Sequence, residues 1–217
     1  RDRADLFCTT TEGVRGERAL EWSLVDELVP ASKLDEKARI RAVSLSQKTG
    51  TSRDAQGINL VPLVRKISRT ALRYPYLKVD IDSTTSVANF TVCGPDQSPP
   101  VGPEASLELG AAFWPLALAR ALDDAILHLR TNRPDISNWV IRVVGNGSLI
   151  RAHDDFIVRH GGDWLLREIR LYWTRVLKRL DVTSRSLIAL IEAGDGCSGT
   201  LFELALACDR IYMLDGN

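Results

Sequence analysis

The chain has 217 residues, and its 28 basic and 28 acidic side chains give a formal net charge of zero at pH 7. Nucleic-acid-binding proteins usually carry a basic excess, so the balanced charge argues against that class. Hydrophobic residues at 45% and charged residues at 26% exclude wholesale disorder. No apolar run approaches the roughly 20 residues that a membrane-spanning helix needs.

The N-terminal region predicts helices. Apolar residues cluster before Pro30, which should end a first helical stretch, and a second helix should begin near Ser32 or Leu34. Residues 50–75 show little sustained periodicity, and we interpret them as a connector. Apolar and polar residues then alternate over 77–82 and again over 88–92. Two such runs around a short polar turn predict a β-hairpin.

From Phe113 onward the pattern alternates between helix and strand, which predicts crossover units, a parallel sheet and an α/β fold. Apolar stripes predict two long helices, and the arginines of the second should form a solvated face. Short apolar runs predict strands over 139–144, 187–191 and 210–214. Because open α/β sheets bind ligands at the carboxyl ends of their strands, the loops after Val144 and Ala193 are the places to seek chemistry.

Cysteine and histidine spacing gives no metal signature. The four cysteines are scattered and contain no Cys-x-x-Cys pair: Cys8, Cys93, Cys197 and Cys208. They predict buried thiols in a reducing cytoplasm rather than a disulfide framework or a zinc site. His153 precedes two aspartates, but consecutive side chains project in different directions. We therefore expect a solvated loop or helix start there, and no metal.

A glycine-rich loop, 192–200, leads from a predicted strand into a predicted helix. Free backbone N–H groups at such a junction can form an anion or oxyanion site, although glycines are common there for steric reasons alone. The nucleotide-binding glycine motifs are absent from the sequence. The sequence allows two interpretations of Glu203. It could form a capping box with Thr200, which the spacing favours, or it could act as a general acid/base beside an oxyanion hole.

At this loop the sequence resembles a known superfamily. The run 186–192, the glycine turn and the run 203–210 resemble the central motif of the crotonase (enoyl-CoA hydratase/isomerase) superfamily. Residues 13–14 and 17–30 resemble the closing region of the same fold. The inverted order implies two fused modules and a segment of a longer chain. We divide it into the helical end of a first module (1–49), the connector (50–75) and the N-terminal part of a second, crotonase-like module of β-β-α units (76–217).

Four further runs resemble the benzoyl-CoA-dihydrodiol lyase family: 3–8, 12–19, 121–127 and 181–187. The resemblance implies hydrolytic opening of the epoxidised ring of 2,3-epoxybenzoyl-CoA with release of formate. Coenzyme A would be part of the substrate, with no other cofactor bound. It also implies a cytoplasmic homo-oligomer, such as a dimer, without nucleic-acid or membrane partners. The alternatives are a fused enoyl-CoA hydratase or isomerase, and a non-catalytic structural or dimerisation module.

The same resemblance assigns roles to individual residues. Thr200, preceded by Gly199, takes the place of the middle glycine whose amide is one oxyanion donor, and only one of three glycines survives there. The second donor would be the His153 amide. Glu203 matches the first catalytic glutamate of hydratases, whereas the second would lie beyond Asn217. We therefore expect a vestigial pocket and no catalytic residue in this segment, with Glu203 the best candidate.

Overall fold

The computed structural model describes residues 2–48, 57–192 and 196–215, and the chain divides into two compact units, Arg1–Gln56 and Gly57–Asn217. The elements of the first unit are helix α1 (Asp2–Thr9), helix α2 (Glu17–Glu21), a 3₁₀ turn (Ala31–Lys33) and helix α3 (Leu34–Lys48). Helices on both sides of Pro30 were predicted and are confirmed. Ala19 is the one buried residue among those described in this unit.

The second unit is built on a seven-stranded sheet in which the strands lie in sequence order. They are β1 (Lys66–Ile67), β2 (Ala71–Arg73), β3 (Leu77–Asp82), β4 (Val87–Cys93), β5 (Asn138–Val144), β6 (Ser186–Ile191) and β7 (Arg210–Met213). Strands β1 to β4 pair antiparallel, and β4 to β7 pair parallel. The predicted α/β class, hairpin and parallel sheet are confirmed. The first two strands fall within 50–75, where we expected a connector.

The helices of this unit are α4 (Pro103–Leu109), α5 (Trp114–Asn132), α6 (Gly147–Arg159), α7 (Trp164–Asp181) and α8 (Thr200–Leu206), with a 3₁₀ turn at Gly110–Ala112. The apolar stripes of α5 and α7 are buried, and most basic residues of α7 are exposed, both as predicted. Helix α6 was not predicted. It begins after Asn146, whose side-chain oxygen accepts the Ser148 N–H at 2.8 Å and so caps the helix.

One contiguous core joins the sheet to the helices. Alternate residues of the strands are buried, including Phe90 on β4 and Trp139 on β5, whose ring centroids lie 5.3 Å apart. Apolar residues of α5, α6, α7 and α8 belong to the same buried cluster. The intervening positions of β5 and β6, among them Val140 and Ile188, are only half-buried. The helices therefore seal one side of the sheet far more completely than the other.

Strand β7 ends the sheet in the part of the chain that the structure describes. All four of its residues are exposed, and they include large apolar side chains: Tyr212 is 58% and Met213 is 69% accessible. One side of β7 is paired, through its parallel ladder with β6. Among the described residues no strand pairs with the other side, which carries the exposed apolar side chains.

The thiols differ in part from the expectation that they are buried. Cys8 is exposed, whereas Cys93, Cys197 and Cys208 are half-buried. Burial raises the pKa of Cys208 to about 12, with the nearby Asp209 carboxylate as a second cause. Among the described residues, no helix is both long enough and apolar enough to cross a membrane.

Candidate functional site

The loops that follow β4, β5 and β6 meet at the carboxyl ends of the parallel strands, where we predicted a site. The Gly94 N–H donates to the Val144 carbonyl at 2.8 Å. A Cβ added to Gly145 would lie 3.1 Å from Gly94 Cα, and one added to Gly196 would lie 2.9 Å from the Gly145 carbonyl oxygen. These loops therefore pack backbone against backbone at the three glycines. Residues 193–195 of the predicted glycine loop lie outside the described residues.

The amide predicted as an oxyanion donor already has an acceptor. Helix α8 begins at Thr200, directly after Gly199, which has a positive φ of 53°. Asp154 of α6 accepts both the Thr200 N–H, at 2.8 Å, and the Thr200 hydroxyl, at 2.6 Å. A Cβ on Gly199 would collide with Asp154 Oδ2, so the carboxylate sits directly against the turn. A second negative oxygen at this amide would be repelled by Asp154.

Glu203 does not form the capping box that its spacing suggested. Thr200 is the first residue of α8 rather than its N-cap, and its hydroxyl is taken by Asp154. The Glu203 side chain is exposed and contacts no polar partner in the described part of the chain. The capping interpretation is therefore wrong. The role of Glu203 as a general acid/base stays a prediction.

His153 lies inside α6 and is 3% exposed, so our expectation of a solvated loop or helix start is wrong. Its ring packs against Phe113 and Trp114, with centroid distances of 5.7 and 5.2 Å. In a regular helix the N–H of an interior residue is bonded to the carbonyl four residues earlier. The His153 amide is therefore held within α6 rather than free to act as the second oxyanion donor.

The His153 ring makes one polar contact, between Nε2 and the Gln97 carbonyl oxygen at 3.1 Å. Its Nδ1 is buried without a hydrogen-bond partner in the described part of the chain. Burial lowers the pKa of His153, against smaller opposing effects of the Gln97 carbonyl and Asp154. A small cavity of about 200 Å³ beside this ring is lined by the loop after β4 and the start of α5.

The turn at the start of α8 is thus satisfied internally, by Asp154. Sequence reasoning named Thr200, Gly199 and His153 but missed Asp154, the residue that closes the turn. No local signal marks it, because its partner lies 46 residues later in the chain. Among the described residues, no group of three or more histidine, cysteine, aspartate or glutamate side chains is placed to hold a metal ion.

Comparison with known proteins gives matches among solved structures and among curated proteins. Solved structures include an enoyl-CoA hydratase/carnitine racemase from Magnetospirillum magneticum, 15% identical with a TM-score of 0.45 over 69% of this chain and 47% of that one. An enoyl-CoA hydratase from Geobacillus kaustophilus is 17% identical, with a TM-score of 0.40 over 70% of this chain and 48% of that one. No protein-family profile matches the chain.

Among curated proteins, the chain is 41% identical over 218 aligned residues to a benzoyl-CoA-dihydrodiol lyase from Aromatoleum evansii. The alignment covers 99% of this chain and 39% of the lyase. The resemblance to this family, predicted from four short runs, is therefore confirmed along nearly the whole chain. The chain spans about two fifths of the length of the relative that it matches.

Proposed function

We propose that the chain is a segment of a lyase that acts on an aromatic coenzyme A thioester. The observation that carries the proposal is the 41% identity to a benzoyl-CoA-dihydrodiol lyase along 99% of the chain. The reaction would be the hydrolytic opening of the ring of 2,3-epoxybenzoyl-CoA with release of formate. Coenzyme A enters as part of the substrate, and the longer protein works as a cytoplasmic homo-oligomer.

Within this lyase, unit 57–217 would support the fold and hold no catalytic group. The Asp154 carboxylate on the Thr200 amide supports this role, because an oxyanion hole needs donors that are free when charge develops. The close backbone packing at Gly145 and Gly196 supports it as well, since a thioester would need space where these backbone atoms meet. The reacting groups would then lie in the other module of the longer protein.

A formate-release assay with 2,3-epoxybenzoyl-CoA tests the proposal. We expect turnover by the full-length protein that contains this segment and none by the 217-residue chain alone. Glu203→Gln in the full-length protein should leave kcat within a few-fold, because Glu203 would not transfer a proton. Glu104→Gln, at another exposed glutamate of the same unit, is the matched control.

Two results would contradict parts of the proposal. A loss on the order of a hundredfold in the Glu203→Gln variant alone would identify this glutamate as an acid/base group and this pocket as catalytic. Hydration of crotonyl-CoA by the full-length protein, without formate release from the epoxide, would identify a fused hydratase instead of a lyase.

A further inference from the structure

A groove of about 510 Å³ lies in unit 57–217, between the segment 57–60 and helices α5 and α7. Its volume is within the range of about 300–1,000 Å³ that small-molecule sites occupy. Leu116 of α5 and Ile169 of α7 are buried core residues that form its apolar floor, and Ile58 of the segment 57–60 lies along one wall. The groove is thus lined largely by apolar side chains.

Two arginines line the groove. Arg120 follows Leu116 by one helical turn on α5, and its Nη2 donates to the Val61 carbonyl at 2.8 Å. Arg175 of α7 is exposed, and its guanidinium lies 5.1 Å from the centre of the Tyr172 ring. Neither arginine forms an ion pair with a carboxylate in the described part of the chain. Both therefore keep donors available to an anion.

One acidic side chain lines the groove beside the two arginines. It is Glu168, whose carboxylate lies 3.7 Å from Arg167 Nη2. The Tyr172 hydroxyl donates to Asp123 at 3.1 Å, and the same carboxylate lies 2.6 Å from Arg179 Nε. The burial of Tyr172, followed by the charge of Asp123, raises the tyrosine pKa to about 12, so the ring stays neutral. The groove therefore combines an apolar floor with a net positive rim.

We infer that this groove binds a small amphipathic carboxylic acid. The apolar body would lie on Leu116 and Ile169, and the carboxylate would be held by Arg120 and Arg175. A guanidinium offers a planar fork of donors that matches a carboxylate, and charge-assisted hydrogen bonds are the strong ones. This site is separate from the strand ends described above, and it does not depend on the proposed lyase activity.

Calorimetric titration of the 217-residue protein with octanoate tests the inference, with octan-1-ol as the uncharged probe of similar size. Octanoate should bind saturably and about tenfold more tightly than octan-1-ol, a difference of about 1.4 kcal/mol. Arg175→Gln should remove most of that tenfold preference and leave the affinity for octan-1-ol unchanged. Arg170→Gln makes the same charge change at an exposed residue of α7 outside the groove and should have little effect.

Three outcomes would overturn the inference: no saturable signal at millimolar octanoate, equal affinity for octanoate and octan-1-ol, or equal losses in Arg175→Gln and Arg170→Gln. Equal losses in the two arginine variants would mean that octanoate affinity depends on the overall charge of the protein and not on the groove. Ile58→Ser tests the apolar wall, and it should weaken both probes alike. Thermal unfolding of each variant verifies that the fold is retained, and Arg175 is exposed enough for its replacement to leave the core intact.

Discussion

The buried His153, whose ring has no second hydrogen-bond partner among the described residues, ties the stability of this protein to pH. Because the Gln97 carbonyl can only accept, Nε2 of His153 carries the proton, and the unpaired Nδ1 is the basic atom. Protonating Nδ1 would place a positive charge in a ring packed between Phe113 and Trp114. The folded state therefore disfavours the charged ring, and the pKa of His153 is lowered by burial.

We expect the free energy of unfolding to fall as the pH drops below about 6.5, the pKa of histidine in an unfolded chain. Between that value and the lower folded-state pKa, the unfolded chain binds more protons, so acid favours unfolding. Above the unfolded pKa the contribution is fully present. Urea unfolding at pH 7.5 and 5.5 measures it, and His153→Gln should reduce the difference.

His160→Gln, on the residue that follows α6, is the control and should retain the pH dependence of the parent. If His153→Gln lost as much stability on acidification as the parent protein, another group would be responsible. The quantity compared is the change in the free energy of unfolding between the two pH values. A loss of stability that is the same at both pH values, caused by removing the His153 ring, cancels in this difference.

At the scale of elements, the packing of the strand ends makes one glycine particularly sensitive. A Cβ on Gly196 would lie 2.9 Å from both the Gly145 carbonyl oxygen and Ile150 Cδ1, and the backbone atom cannot easily move. Gly196→Ala should lower the free energy of unfolding by about 1–3 kcal/mol, the usual penalty of overpacking. Gly162→Ala is the matched control, because nothing lies within 4 Å of its added Cβ.

Urea unfolding of the two variants checks this prediction. Equal stability of Gly196→Ala and Gly162→Ala would show that the loops containing Gly145 and Gly196 can move apart. The ends of the strands would then have space for an added methyl group. Such a result would also weaken the proposal that this end of the sheet has no space for a thioester.

Local patterns determined which elements could be predicted. The stripes of α5 and α7 run for several turns, and the hairpin of β3 and β4 alternates cleanly, so both were evident in the sequence. Helix α6 was missed because Asn146 between two glycines is typical of a turn, although the same asparagine serves as the N-cap. Strands β1 and β2 are too short to show a period.

The candidate site was harder to predict than the fold because its defining contact is long-range. The sequence pointed to the correct junction, the start of α8 at Thr200, from glycine content alone. It could not indicate that Asp154, on a helix that was itself missed, would supply the acceptor. A pairing between distant residues depends on tertiary packing, which no local spacing encodes.

For the whole molecule, the distribution of buried residues predicts where cooperative stability resides. Nearly every buried side chain belongs to unit 57–217, and Ala19 is the exception among the described residues. A variant that begins at Gly57 should therefore unfold in one cooperative transition, with a midpoint within a few degrees of the parent. Residues 1–56 alone should show weak cooperativity, because their helices bury little apolar surface.

Circular dichroism in the near and far ultraviolet during heating measures both transitions. A gradual melt of the Gly57 variant, or loss of its fixed aromatic signal, would contradict the assignment of the core to that unit. The full 217-residue chain is the reference, and the two samples differ only in the helical unit.

The bare flank of β7 has a practical consequence for handling this protein. Natural sheets usually shield such a flank with charge, proline or a covering segment, whereas in the described part of the chain Tyr212 and Met213 are exposed beside it. The 217-residue chain, taken alone, can therefore aggregate by strand addition while its core is still folded. Aggregation of the chain would then depend on this edge of the sheet. The storage life of a sample need not follow its free energy of unfolding.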